Sequence, residues 1–140
     1  MEGGQEEDYL RQNRSREKRY AFDHAFDENA SQHDIYMATT EKLLGGIMDG
    51  FNASCFAYGA TGAGKTYTML GNTSQPGCMV LTVGELFKRI TSADSKAYRV
   101  YLTYLEVYNE NIRDLLNPTT GYLDLREDPV KGICVAGITE

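Results

Sequence analysis

The chain has 140 residues, 41% of them apolar and 24% charged, a balance that fits one ordinary globular domain with a sizeable core. Its net charge of −6 and pI of about 4.9 argue against broad non-specific binding to nucleic acid. There is no run of about 18 apolar residues to span a membrane, and no apolar signal-peptide core follows Met1. Cys55, Cys78 and Cys134 lie far apart without a C-x-x-C pair, so they read as buried small hydrophobes of a reduced, cytoplasmic protein.

Residues 1–19 divide by charge. Glu2, Glu6, Glu7 and Asp8 precede a basic stretch of Arg11, Arg14, Arg16, Lys18 and Arg19 interrupted by Glu17. With almost nothing apolar to bury, this segment is expected to be a mobile tail or a solvated turn of helix, with electrostatic contact to an acidic polymer as the functional alternative. Tyr20, Phe22 and His24 alternate with smaller residues, which predicts a short strand before the polar turn at Asp27–Ser31. His24 and His33 lack any nearby ligand or nucleophile spacing, so surface or capping roles are expected for both.

A helix is predicted from Ser31 or Gln32 to about Met48. Ile35, Tyr36, Thr39, Leu43, Leu44 and Ile47 recur along one face, Asp34 sits in the first turn and Gly50 marks the end. The apolar run Ala53–Tyr58 then reads as a buried strand. It leads into Gly59-Ala60-Thr61-Gly62-Ala63-Gly64-Lys65-Thr66, which fits the phosphate-loop pattern G-x-x-x-x-G-K-[ST]. A triphosphate needs several backbone N–H groups pointing inward at once, and a chain with little side-chain bulk supplies them. Lys65 is a mobile point charge suited to the β/γ-phosphates, the Thr66 hydroxyl suits Mg²⁺, and a helix starting here adds its positive end to the same anion.

That helix should last one or two turns, to Leu70, before Gly71-Asn72 stops it. The polar excursion Gly71–Gly77 is either an ordinary surface loop or a route from the nucleotide site to elsewhere. A second helix is predicted over about Met79–Ile90, with Val80, Val83, Leu86, Phe87 and Ile90 on one stripe and Gly84 as its weak point. Tyr98–Tyr108, dense in aromatic and β-branched residues on both faces, reads as a central strand. Asn109–Leu116 reads as a short helical turn closed by Asn117-Pro118, and Tyr122–Arg126 with Ile133–Ile138 as a hairpin with a charged tip at Glu127–Gly132.

Several stretches together resemble the N-terminal half of the kinesin motor domain. They are Tyr20-Ala21-Phe22-Asp23 with Phe26, Phe56-Ala57-Tyr58-Gly59 running into Lys65-Thr66-Tyr67-Thr68-Met69, Tyr104–Glu110, and Ile112-Arg113-Asp114-Leu115-Leu116. Arg14–Lys18, Gly121–Leu123, Leu125–Asp128 and Ala136–Glu140 look most like the kinesin-8 class. The resemblance implies an α/β fold, a P-loop NTPase-like three-layer α/β/α sandwich around a mixed central sheet, incomplete in this chain. Residues 20–140 would be the partial motor domain and 1–19 a charged, mobile N-terminal segment.

The implied function is that of an ATP-dependent microtubule motor of the cytoskeleton, with ATP and Mg²⁺ as cofactors, tubulin as partner and room for a dimer in the full-length protein. By that resemblance Gly59, Ala60, Thr61, Gly62, Ala63, Gly64, Lys65 and Thr66 hold the phosphates, Thr66 takes the metal, and Tyr67 falls where an aromatic or histidine meets the adenine. The Glu127–Gly132 hairpin would be a microtubule-facing element. Ala60 stands where many members have Gln and Ala63 where Ser is common, but both positions contribute mainly backbone.

No catalytic residue is assigned. The family's Asn-x-x-Ser-Ser-Arg-Ser-His, Asp-Leu-Ala-Gly-Ser-Glu and Arg-x-Arg-Pro segments do not occur in the 140 residues. The chain alone is therefore expected to hydrolyse ATP poorly and to leave sheet edges unpaired. The alternatives are a nucleotide- or tubulin-binding fragment without turnover, or another phosphate-loop enzyme such as a small kinase. Against the kinase, the nearest acidic candidates, Asp124 and Asp128, sit in the hairpin rather than after an apolar strand.

Overall fold

A helix closes its hydrogen bonds within itself, whereas a strand needs a neighbour. That asymmetry organises this structure, a computed structural model that describes residues 18–93, 96–130 and 132–140. The charged segment expected at 1–19 lies outside the described residues except for Lys18 and Arg19. The chain divides into two units, Met1–Ala93 and Asp94–Glu140.

The first unit is helical. α1 (Gln32–Ala38) opens on a capping box in which the Ser31 hydroxyl and the Asp34 carboxylate satisfy each other's backbone N–H groups. The Ser31 hydrogen bonds hold the Asp34 carboxyl below its ordinary range. The single helix expected to Met48 is broken at Thr39, whose hydroxyl donates back to the Ile35 carbonyl at 2.6 Å. This local bond and two adjacent β-branched residues favour the observed 3₁₀ turn at Thr40–Lys42 over continued α-helix. α2 (Leu43–Met48) follows and ends on left-handed Gly50, with Phe51 N–H donating to Gly46 O at 2.9 Å and Gly50 N–H to Ile47 O at 3.0 Å.

α3 (Lys65–Met69) and α4 (Cys78–Thr91) complete the unit. Tyr36, Thr40, Leu44 and Cys78 form its buried centre. The Thr82 hydroxyl lies 2.6 Å from the Cys78 carbonyl and 3.1 Å from the Thr40 hydroxyl, and Arg89 pairs with Glu41 at 2.5 Å, so α4 packs against the break in the first helix. The stripe expected to face the core behaves differently: Val80 is 47%, Val83 44% and Phe87 49% exposed. Leu86 and Ile90 of that stripe are half-buried, alongside Thr82 and Arg89, while Cys78 is buried.

Two segments read as strands make no ladder. Residues 20–26, bent at Asp23, and 53–58 form no strand, and Phe56 is 84% and Tyr58 96% exposed.

The second unit is antiparallel. Of the long strand expected over Tyr98–Tyr108, only β1 (Leu105–Tyr108) forms a ladder, extended by Leu115 N–H donating to Tyr104 O at 2.8 Å. Its partner is the segment expected to be a helical turn: β2 (Asn111–Asp114) runs back along β1 in the register Leu105↔Asp114 to Tyr108↔Asn111. Asn109 and Glu110 both have positive φ, 48° and 63°, the two-residue turn whose twist matches a hairpin. β3 (Tyr122–Leu123), after a 3₁₀ turn at Pro118–Thr120, adds to β2. The expected strand Tyr122–Arg126 is thus divided, its second half belonging to β4 (Leu125–Asp128), which pairs with β5 (Gly132–Val135). A hairpin is present there, but Glu127, Asp128 and Gly132, expected at its tip, belong to the paired strands.

Asp114 anchors this unit. It is 1% exposed, and its two oxygens accept from the N–H groups of Leu116 at 2.8 Å, Asn117 at 3.1 Å and Thr139 at 2.8 Å. Hydrogen bonding from Thr139, then from Leu116 and Asn117, holds the carboxyl below its ordinary range.

Candidate functional site: the loop before α3

The loop Gly59–Gly64 turns an extended segment into α3 within six residues. The cap of α3 is Gly64 at φ 87°, two residues after Gly62 at φ 82°, a left-handed path that a side chain would strain. A Cβ placed on either glycine would meet nothing within 4 Å, so the space above the loop is open to a ligand rather than filled by protein. The one backbone bond inside the loop is Ala63 N–H to Ala60 O at 3.1 Å. Among the described residues, Gly62, Gly64, Lys65 and Thr66 donate their N–H groups to no backbone carbonyl. Four N–H groups without a backbone acceptor, at the start of a helix, are chemically suited to an anion.

Lys65 crosses the loop. Its ammonium donates to Gly59 O at 2.8 Å and Ala60 O at 2.9 Å, which places a half-buried positive charge against the two residues that open the turn. Thr66 is exposed at the second position of α3, and the Tyr67 ring, one residue on, is 47% exposed. Every site residue expected from the sequence, Gly59 to Tyr67, is therefore brought together on one turn and the helix that follows.

Other candidates fall away. An apolar cavity of about 330 Å³, lined by Leu43, Ile47, Met69, Met79 and Val83 among others, offers little to an anion. The His24 ring lies exposed, 3.5 Å from Lys42 Nζ, and His33 is exposed against Tyr36. No cluster of three or more metal-ligating side chains occurs among the described residues. Cys78 is buried as expected, and burial raises its thiol pKa, but Cys55 is exposed and Cys134 only half-buried. What sequence reading missed is the hold on Tyr67 from outside the loop: its main-chain carbonyl accepts from Gln32 and its phenol donates to Gln75. Glutamine at these positions carries no sequence signal of such a role.

An extended segment, a glycine-bearing turn with a lysine folded across it, and a helix beginning at that lysine define the phosphate-loop class of nucleotide-binding proteins. The kinesin motor domain profile matches residues 2–140. The chain is 56% identical over 135 residues to "Kinesin-like protein KIF19" of Xenopus laevis, covering 96% of this chain and 14% of that protein. It is 48% identical over 134 residues to "Kinesin-like protein KIN-8B" of Arabidopsis thaliana, covering 94% of this chain and 16% of that one. A solved structure described as "Structure of a fast kinesin: Implications for ATPase mechanism and interactions with microtubules" superposes with a TM-score of 0.80 at 36% identity, covering 86% of this chain and 35% of that chain.

The chain belongs to the kinesin motor-domain family, with kinesin-8 members among its relatives. It carries part of that P-loop NTPase-like α/β fold, spanning about one-seventh of the length of the curated relatives it matches.

Proposed function

We propose that this chain is the nucleotide-binding part of an ATP-driven microtubule motor. The observation that carries the reading is Lys65, held at 2.8 and 2.9 Å by the carbonyls that open a loop of free N–H donors. In this reading the backbone of Gly59–Gly64 and the ammonium of Lys65 take the phosphates, the Thr66 hydroxyl holds Mg²⁺, and Tyr67 meets the base. Bound Mg²⁺ supplies neutralisation of phosphate charge; the chain's own part is to orient the phosphates and present fixed donors to them. The β4–β5 hairpin, whose tip residue Val130 is 93% exposed, is the element we assign to tubulin. Support comes from the relatives, which are kinesins, and from the fast-kinesin structure, whose description names microtubules. We further place the protein on cytoplasmic microtubules.

Calorimetric titration of the 140-residue chain with MgATP tests the loop. Lys65→Ala should weaken binding at least tenfold, since it removes a charge-assisted contact. Unchanged affinity would overturn the loop assignment. ATP turnover measured with and without microtubules then separates the two functional outcomes: stimulated turnover marks a working motor site, and binding without turnover marks a nucleotide-holding fragment.

A further inference from the structure

The phenol of Tyr67 is held by the loop that follows its own helix. Its hydroxyl donates to Gln75 Oε1, and its main-chain carbonyl accepts from Gln32 Nε2 at the start of α1. Gln32 is itself fixed, being 6% exposed and the first residue of a helix closed by a capping box. Both ends of Tyr67, backbone and ring, are therefore tied to other segments.

Gln75 lies in Gly71–Gly77, a stretch whose composition is that of an ordinary surface loop. The structure builds it tightly instead. Gly71 and Pro76 form an antiparallel bridge, Asn72 N–H donates to Gln75 O at 2.9 Å, and Gly77 N–H donates to Leu70 O at 2.9 Å. The Asn72 side-chain oxygen accepts from Ser74 N–H at 3.0 Å, the Ser74 hydroxyl at 2.9 Å and Gln75 N–H at 2.8 Å. The base of the loop has no room for side chains: a Cβ on left-handed Gly71 would sit 2.1 Å from Gln75 O, and one on Gly77 2.6 Å from Met69 O. Gln75 is thus a side chain on a rigid mount, and what it grips is an aromatic ring with about half its surface free.

We propose that Gln75 is a positioning residue for the nucleotide base: it fixes the Tyr67 ring as a stacking platform, so Gly71–Gly77 sets base affinity while Lys65 and the loop backbone set phosphate affinity. This rests on the reading that Tyr67 meets the base. An exposed tyrosine is free to change rotamer, and a ring that must be ordered at binding stacks less well than one already held. Stacking reads the π-face, which every base has, so the effect applies to adenine and guanine alike.

The test is a double-mutant cycle on the 140-residue chain, titrated calorimetrically with MgATP, MgGTP and magnesium tripolyphosphate. Gln75→Ala and the isosteric Tyr67→Phe each break the same hydrogen bond. Each should weaken both nucleotides by roughly three- to tenfold, the size of one net neutral hydrogen bond, and leave tripolyphosphate unchanged. The double variant should be no weaker than either single one. A tripolyphosphate loss matching the nucleotide loss would overturn the proposal, because Gln75 would then be supporting the phosphate cradle. So would single losses that multiply in the double variant, or nucleotide affinity that neither substitution moves. Lys65→Ala run alongside separates the readings: it should weaken all three ligands. If it moves none, the loop assignment fails, and this inference with it.

Discussion

Two segments of this chain have nearly the same strand-like composition and opposite outcomes. Ala53–Tyr58 and Leu105–Tyr108 are both short, largely apolar and end on a tyrosine, yet only the second is paired. The difference lies in where each finds a partner. β1 turns back on β2 through two residues, so the closure costs little entropy and the ladder is built from local chain. The segment before the loop has no hairpin partner beside it in sequence. Its aromatics, Phe56 and Tyr58, are correspondingly exposed. The helical elements of the same unit do not share the problem, because α1, α2 and α4 bond internally and then need only one packed face.

The largest effect expected from this comparison is in the helical centre. Leu44 is fully buried, so Leu44→Ala should cost about 3 kcal/mol, a cavity-forming loss that urea unfolding followed by circular dichroism would measure. A loss below about 0.5 kcal/mol would show that the packed centre of this unit contributes little to its stability.

Next is the polar anchor of the second unit. Asp114→Ala leaves three part-buried N–H groups without their acceptor and should lower the melting midpoint of this unit by on the order of 5 °C. The pH dependence has a definite sign. The folded carboxyl sits below its ordinary value, so its contribution is complete above about pH 4, the unfolded range, and is lost as pH falls through the lower folded value. Asp114→Asn should flatten that acid limb in a pH series of melting curves, whereas Asp34, shifted the same way by Ser31, leaves a residual slope in both proteins.

The turn and helix start of the loop were legible in the sequence because they are local. Glycines, lysine and threonine at fixed spacing dictate a turn and a helix start, and the structure sets all of Gly59–Tyr67 on one turn and its helix. The helices were legible as existing but not as ending: the break at Thr39 depends on one hydroxyl choosing the Ile35 carbonyl. The β2 strand was misread because Asn111–Leu116 carries apolar residues at helical spacing, and the turn before it lacks the glycine that marks such hairpins. Asp114 and Gln75 were invisible, since their roles come from backbone donors and a phenol that the fold brings to them.

That unmarked turn gives a smaller, stabilising prediction. Glu110 occupies the left-handed region at φ 63°, which costs a residue with a Cβ about 1 kcal/mol. Glu110→Gly makes the Asn-Gly pair that this turn prefers and should stabilise the hairpin by roughly 0.5–1 kcal/mol in thermal unfolding. Destabilisation would mean that the turn is held by the Glu110 side chain rather than tolerated despite it.

The smallest expected effect is the one that bears most directly on the two strands. In the middle of a covered sheet, Phe→Ala costs about 3–5 kcal/mol. Phe56 is 84% exposed here, so in this chain Phe56→Ala should change unfolding stability by no more than about 0.5 kcal/mol. The same substitution should improve solubility, because an apolar, unpaired extended segment is a template for edge-to-edge association. A loss of several kcal/mol would show that the segment finds cover in solution, from a second copy or from the chain itself. Concentration dependence of the loss would then tell these apart, since only association between copies weakens on dilution.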